Sequence, residues 1–541
     1  MTKHEIKTLM GDTSHNEAIE KMAKECRDGE IDRREFLRTA TLLGVTAASA
    51  YSLAGIAMPT DAEAAGKKGG TLRYALQVLE TSDPANWITF EQAQIGANVC
   101  DYLCVTGVDG ITRPGLAKSW KVSKDLKTWT FKIRKDVKWH NGDKFTAHDV
   151  KRNVERWKAD NSKSSNKALF NDVKSIKLNG DYEITFKLKV AVLAIPENFY
   201  NYPTAMLHKS FDGSTDWAKN PIGTGPFIMK SHKTGQRAEL VRNENYWGKK
   251  AYLDKIILTD LGNKTETGVA ALISGQVDAV YVINATDVDI LKTAPNVKII
   301  DADSATTDVM RMNVNAKPFD NKKLRQAILA CTDQTPYCQD VMRGLASPGQ
   351  NTHISSVHPE YPGYNGHKQD YKKAKRLLKE AGYPNGLTIE ATTGNTEGAY
   401  QQDLLQVLQR QLAPVGIKLK IKVVPSAKYW DVWNTAGMAI TMWGHRPLGV
   451  MVWNLAYKSG MPWNESGYAS KKFDKALAKA SAIADVKERT KAAKVVDSII
   501  YDDAILVQPH FKKQMTAASN KVGNFVKHPQ NYIAFTSVYF K

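Results

Sequence analysis

Thr441 to Asn454 reads TMWGHRPLGVMVWN, which sets an imidazole and a guanidinium, His445 and Arg446, between Trp443 and Trp453 in a run that otherwise looks like core. Such a pair either solvates at a turn or points into a cavity. In a cavity, the planar fork of the guanidinium matches a carboxylate or phosphate. The other groupings of reactive side chains lead to less. His140, Asp143, His148 and Asp149 have metal-ligating atoms, but their spacing fits no ligand template and each suits a turn or a helix cap. There is no C-x-x-C or H-E-x-x-H, so no metal and no cofactor are expected. G-x-S-x-G is absent and no Ser/His/Asp or paired-carboxylate arrangement stands out, so no catalytic residue is assigned and the chain is expected not to be an enzyme.

The elements that must position these residues are legible from periodicity. Gly70 to Leu76 alternates as a strand, and the following EQAQIGANVCDYLCV places Ile95, Val99 and Leu103 on one helix face. Trp120 to Val122 and Thr128 to Ile133 read as strands, and Thr146 caps a helix from Ala147. In Asn220 to Phe227, NPIGTGPF, three turn-formers stand close together without the Gly-Lys-Ser/Thr of a phosphate loop, which suggests a crossing between lobes. A second lobe opens at the alternating strand Met310 to Asn315. Strands and helices alternate beyond it as in α/β folds, with strands at Leu387 to Ala391 and Lys418 to Val424 around a helix from Tyr400 to Ala413.

Composition sets the frame. A chain of 541 residues, 42% hydrophobic, is long enough for several domains with real cores. The net charge of +19 comes from lysines dispersed among Asp and Glu, so a solvated basic surface is expected and not a nucleic-acid partner. Residues 1–65 read as an address. Asp32-Arg33-Arg34-Glu35-Phe36-Leu37-Arg38 precedes an Ala, Thr, Ser and Gly-rich apolar stretch, and Ala62-Glu63-Ala64 is a small-x-small cleavage pattern. The segment resembles a twin-arginine export signal, departing from it at Asp32 and Arg38, with cleavage expected near Ala64 and the mature protein in the periplasm. A retained anchor is the alternative, because about 20 residues can span a bilayer. Of the cysteines, Cys26 would leave with the signal, and Cys100, Cys104, Cys331 and Cys338 can be bridged or free.

Five ordered stretches carry a family resemblance: LAKSWKVSKDLKTWTFKIRKDVKWHNGDKFTAHDV, NPIGTGPF, LVRNENYWGKKAYLDKIIL, LISGQVDAV and MNVNAKPFDNKKLRQAILACTDQ. Together they resemble the family 5 extracellular solute-binding proteins, the peptide, nickel and opine-type binding components of ABC importers. The resemblance implies a two-lobed α/β clamshell. Lobe I would comprise 66–309 and the return 506–541, with an extra α/β subdomain at about 113–218, and lobe II 310–505. It implies a monomer that takes a small organic solute between its lobes and docks on permease and ATPase subunits. A secreted hydrolase or a ligand sensor on the same fold are the alternatives.

The resemblance also gives the opening stretch a meaning. In the family's dipeptide and oligopeptide binders, the corresponding lobe II segment is similar to Trp-x-x-Asp, whose aspartate pairs with the peptide's α-ammonium. Here the same spacing gives Trp443-Gly444-His445-Arg446, with the charge reversed. A buried arginine repels an ammonium and attracts an acid. Trp443, Trp453 and Trp463 are then expected as apolar walls around a ligand that presents an anionic group to Arg446. His445 is included by adjacency. Trp87, Tyr200, Asn201 and Tyr202 match lobe I regions that face the cleft in the family, and Arg311 flanks the hinge as a further contact.

Overall fold

The computed structural model describes residues 14–58, 66–363 and 367–541. Its organising element is a ten-membered run of strands within a 12-stranded sheet that passes through both lobes. In order across the sheet these are Ile417–Val423, Leu387–Thr393, Met438–Trp443, Val297–Met312, His510–Ser519, Ala279–Val280, Thr71–Ala75, Lys255–Thr259, Arg237–Arg242 and Phe227–Lys233. Val297–Met312 belongs to both halves. Its first part, Val297 to Ala302, pairs with Gln514 to Ser519, and its last part, Thr307 to Met312, pairs with Met438 to Trp443. The register breaks between Ala302 and Thr306, where the strand changes partners. Leu506–Val507 pairs with Arg311 and Met310 and carries the chain back. Each half buries an apolar cluster of its own, and a third, larger cluster spans both halves and the N-terminal helices.

In lobe I, alternation in Thr71–Ala75 buries Leu72 and Tyr74 on one face. The next helix starts on a capping box between Thr89 and Gln92. It runs only from Phe90 to Val99, and Cys104–Thr106 is a strand, so the face expected to continue to Leu103 is cut short. The cause is NPIGTGPF. The Gly225 N–H donates to Val99 O at 2.9 Å, and a Cβ on Gly223 would stand 1.9 Å from the same oxygen. That loop closes over the helix end and returns the chain to Phe227–Lys233 within lobe I. It is not the crossing between lobes that its turn-formers suggested.

Between these elements lies an antiparallel four-stranded sheet, in the order Ala117–Val122, Thr128–Ile133, Glu183–Leu188, Val173–Leu178. The helix Ala147–Lys158 covers it, capped by Thr146 and Asp149. Asp149 of the metal-like group thus closes a cap, and Asp143 accepts from His208 Nε2 at 2.9 Å. All five cysteines are buried and none is bridged.

Residues 16–53 form three short helices, Asn16–Arg27, Arg33–Leu42 and Ala47–Leu53. Asp32 caps the second by accepting from the Arg34 N–H, and Gly44 at φ +95° breaks the apolar stretch. Among the described residues no helix is long and apolar enough to cross a membrane. The helices lie on both lobes: Trp120 Nε1 of the subdomain donates to Leu42 O at 3.0 Å, while Lys21 pairs with Asp485 at 2.8 Å beside the lobe II helix Val486–Asp503. The cleavage pattern at Ala62 to Ala64 lies outside the described residues.

Candidate ligand-binding cleft

Alternation along Met438–Trp443 delivers Trp443 to the edge where the lobes meet, and the strand ends in the loop Gly444 to Leu448. The lobe I helix Phe90–Val99 presents Phe90 against that loop so closely that a Cβ on Gly444 would come within 2.0 Å of the ring. Only glycine allows this approach, and the structure is therefore closed. Between the lobes lies a cavity lined by Phe90, Tyr202, Trp430, Trp433, Trp443 and Trp463, together with Glu91, Glu397 and Arg446. Apolar ring walls with a few convergent charged groups are the composition of a small-molecule site.

Arg446 is the distinctive group. Its side chain is 2% exposed and lines the cavity. Nη1 donates to Gly444 O at 3.2 Å and His445 O at 3.1 Å, and the guanidinium carbon stands 5.4 Å from the Tyr202 ring centre. Nε has no partner. Burial pulls its pKa below the ordinary arginine value, and Tyr202 opposes the shift. With carbonyls on one edge, a ring face beside it and, among the described residues, no carboxylate within 4.0 Å, this buried cation is short of charge compensation. It therefore favours an anion that enters the cavity.

Its backbone is pinned from behind. His358 Nδ1 accepts from the Ser355 N–H at 3.0 Å, which leaves Nε2 as the donor to Arg446 O at 3.1 Å. Burial, reinforced by the charge of Arg38, drives His358 down to about 3, so it remains a neutral ring with a fixed tautomer. Trp443 is held in the same way: its Nε1 donates to Glu465 Oε1 at 2.7 Å, and Thr441 donates to Oε2 at 2.8 Å.

The structure brings together four of the residues expected from sequence, Trp443, Arg446, Trp463 and Tyr202, and turns six away. His445 faces the hinge strand, where Nδ1 accepts from the Ala305 N–H at 3.1 Å and burial pushes its pKa well down. Trp453 sits in the core of the helix Gly449–Ala456 and donates to Thr352 O at 3.0 Å. Trp87 is packed against Gly96 and Trp217 and donates to Thr81 O at 2.6 Å. Tyr200 stacks edge-on with Tyr102 and Tyr532 behind the cavity wall, and Asn201 bonds Asn166 at 3.2 Å in the interior. Arg311 is consumed by Glu465, Ala436 O and Trp433 O. It acts on the cleft indirectly, through the Glu465 that orients Trp443.

Sequence reasoning missed Trp430, Trp433, Phe90, Glu91 and Glu397. Trp430 and Trp433 carried a signal, since two tryptophans three apart after a strand share one face of a helical turn. The two glutamates carried none.

A family model for bacterial extracellular solute-binding proteins, family 5 middle, matches residues 112–483. The chain belongs to this family. As a family 5 solute-binding protein it is the substrate-binding component of an ABC importer. Heme-binding protein A of Haemophilus influenzae is 26% identical over 476 residues, which cover 79% of this chain and 83% of that one. The glutathione-binding protein GsiB of Pectobacterium atrosepticum is 26% identical over 445 residues, 78% of this chain and 84% of that one. Among solved structures, Helicobacter pylori DppA in complex with the peptide STSA superposes with a TM-score of 0.76 at 27% identity, covering 88% of this chain and 98% of that one. Bacillus subtilis AppA, bound to a nonapeptide, superposes with a TM-score of 0.77 at 23% identity over 88% of this chain and 100% of that one, and confirms the two-lobed fold.

Proposed function

We propose that this family 5 protein captures a small organic solute bearing an anionic group on Arg446 and delivers it, unaltered, to its permease. The observation that carries this reading is the buried Arg446, whose Nε lacks a partner inside an aromatic-walled cavity between the lobes. Trp443, Trp463 and Tyr202 supply apolar area, and Trp430 and Trp433 complete the wall. Lobe I, 66–309 with 506–541, and lobe II, 310–505, would close on the ligand, because only differential affinity for the closed form shifts the population. Residues 1–65 are read as a twin-arginine leader lost on export, which leaves a monomeric periplasmic protein. A free peptide gripped at this position by its amino end is disfavoured, since the guanidinium repels the ammonium.

The test is a thermal-shift screen of carboxylates, phosphates and amines of matched size, with recovery of each compound afterwards. Acids are expected to raise Tm and to return unchanged, and Arg446→Ala is expected to weaken the best acid about 10- to 100-fold, the range for a charge-assisted hydrogen bond. Retention of full affinity in Arg446→Ala would sink the proposal.

A further inference from the structure

Glu91 and Glu397 come from opposite lobes. Glu91 is in the first turn of the helix Phe90–Val99, and Glu397 is in the loop between the strand Leu387–Thr393 and the helix Tyr400–Leu412. Both line the Arg446 cavity, and both also line a second cavity that Lys264, Tyr281 and Lys512 border. The two carboxylates therefore form the throat between two halves of the interlobe space.

Among the described residues neither has an ion-pair partner within 4.0 Å. The nearby lysines are held elsewhere: Lys527 donates to Tyr281 O at 2.7 Å with its ammonium 4.4 Å from the Tyr281 ring centre, and Lys512 donates to the Tyr400 hydroxyl at 2.5 Å, 4.7 Å from that ring centre. Closing the lobes thus brings two acids to one cavity, where the Lys527 and Lys512 charges act on them but neither ammonium pairs with them within 4.0 Å, while among the described residues the Arg446 Nε in the same cavity has no hydrogen-bond partner.

We propose that Glu91 and Glu397 form a subsite for an organic cation, so that the ligand is amphoteric, with its ammonium in the throat and its acid on Arg446. This deepens the Arg446 reading and rests on it for the orientation of the ligand. The polarity is fixed by the lining: an ammonium is drawn to the two carboxylates and the faces of Trp430 and Trp433, while Arg446 excludes it from the other end. A hard divalent cation is a poor occupant, because two carboxylates fall far short of the 6–8 oxygens calcium takes. In the absence of a cation, a proton serves in its place. Burial raises Glu397 to about 8, with Lys512 opposing and the charges of Glu91 and Asp308 adding to the rise.

The experiment uses a ladder of straight-chain ω-amino acids from glycine to 8-aminooctanoate, with the matching carboxylates, amines, and calcium alone as controls. Thermal shift and titration calorimetry would be read on the wild type, Glu91→Gln, Glu397→Gln and Arg446→Ala. One chain length is expected to bind at least tenfold tighter than its carboxylate, and either glutamine variant is expected to erase that advantage. An advantage that survives both glutamine variants but not Arg446→Ala overturns the throat and leaves Arg446 standing. Undiminished affinity of Arg446→Ala for that amino acid overturns the Arg446 reading. A shift by calcium alone, or none across the ladder, overturns the amphoteric ligand.

Discussion

At the residue scale, the cleft depends on groups whose neighbours decide their roles. Arg446 and Arg311 are both buried arginines, yet one is available and the other is not. Arg311 lies against Glu465 at 3.4 Å and donates to two carbonyls, whereas the Arg446 Nε meets nothing. Sequence could find Arg446 because a reversed charge at a known spacing is a local signal. It could not separate Trp443 from Trp453, since which tryptophan lines a cavity depends on the lobe facing it. The Arg311–Glu465 pair gives a stability prediction. Burial pushes the Glu465 carboxyl up, and Arg311, Trp443 and Thr441 hold it down. Glu465→Ala leaves a buried guanidinium uncompensated and is expected to cost about 3–5 kcal/mol, read from the shift in urea midpoint at unchanged m-value. A cost below about 1 kcal/mol would show that the carbonyls alone satisfy Arg311.

At the scale of elements, strands and caps were legible because their causes are local. The helix from Ala147 begins at Thr146 as a capping box requires, and alternation marked Thr128–Ile133 to the residue. The helix Phe90–Val99 was not legible at its end, because what stops it is a loop more than a hundred positions later in the chain. Gly223→Ala tests that cause. Its Cβ would meet Val99 O at 1.9 Å, so the loop or the helix end must move, at about 1–3 kcal/mol, the usual range for overpacking. Gly268→Ala is the control, because like Gly223 it is not at a positive φ, and its Cβ would meet Val280 only at an ordinary 3.4 Å. Equal effects in the two variants would show that the contact with Val99 O is not the cause.

At the scale of the whole molecule, closure about Val297–Met312 and Leu506–Val507 brings Phe90, Glu91 and Tyr202 onto Trp443, Arg446 and Glu397. The cleft is thus assembled from parts that share no sequence signal, and Glu91 and Glu397 gain a meaning only there. The N-terminal segment contacts both bodies: Ser14 Oγ donates to Val122 O at 2.6 Å, and Lys487 pairs with Glu30 at 2.6 Å. The full chain is therefore expected to open more slowly than a chain that begins at Gly66. Stopped-flow tryptophan fluorescence with the best acid from the screen should show association slowed several-fold in the full chain, and equal rates would argue against any restraint on opening.

Native mass spectrometry of the protein purified gently from cells asks whether the cleft holds an acid on Arg446. A small-molecule adduct that fragments as an acid after release is expected on the wild type and is expected to be absent from Arg446→Ala purified in parallel. An adduct without an acidic group, or one retained undiminished by the variant, would contradict that expectation.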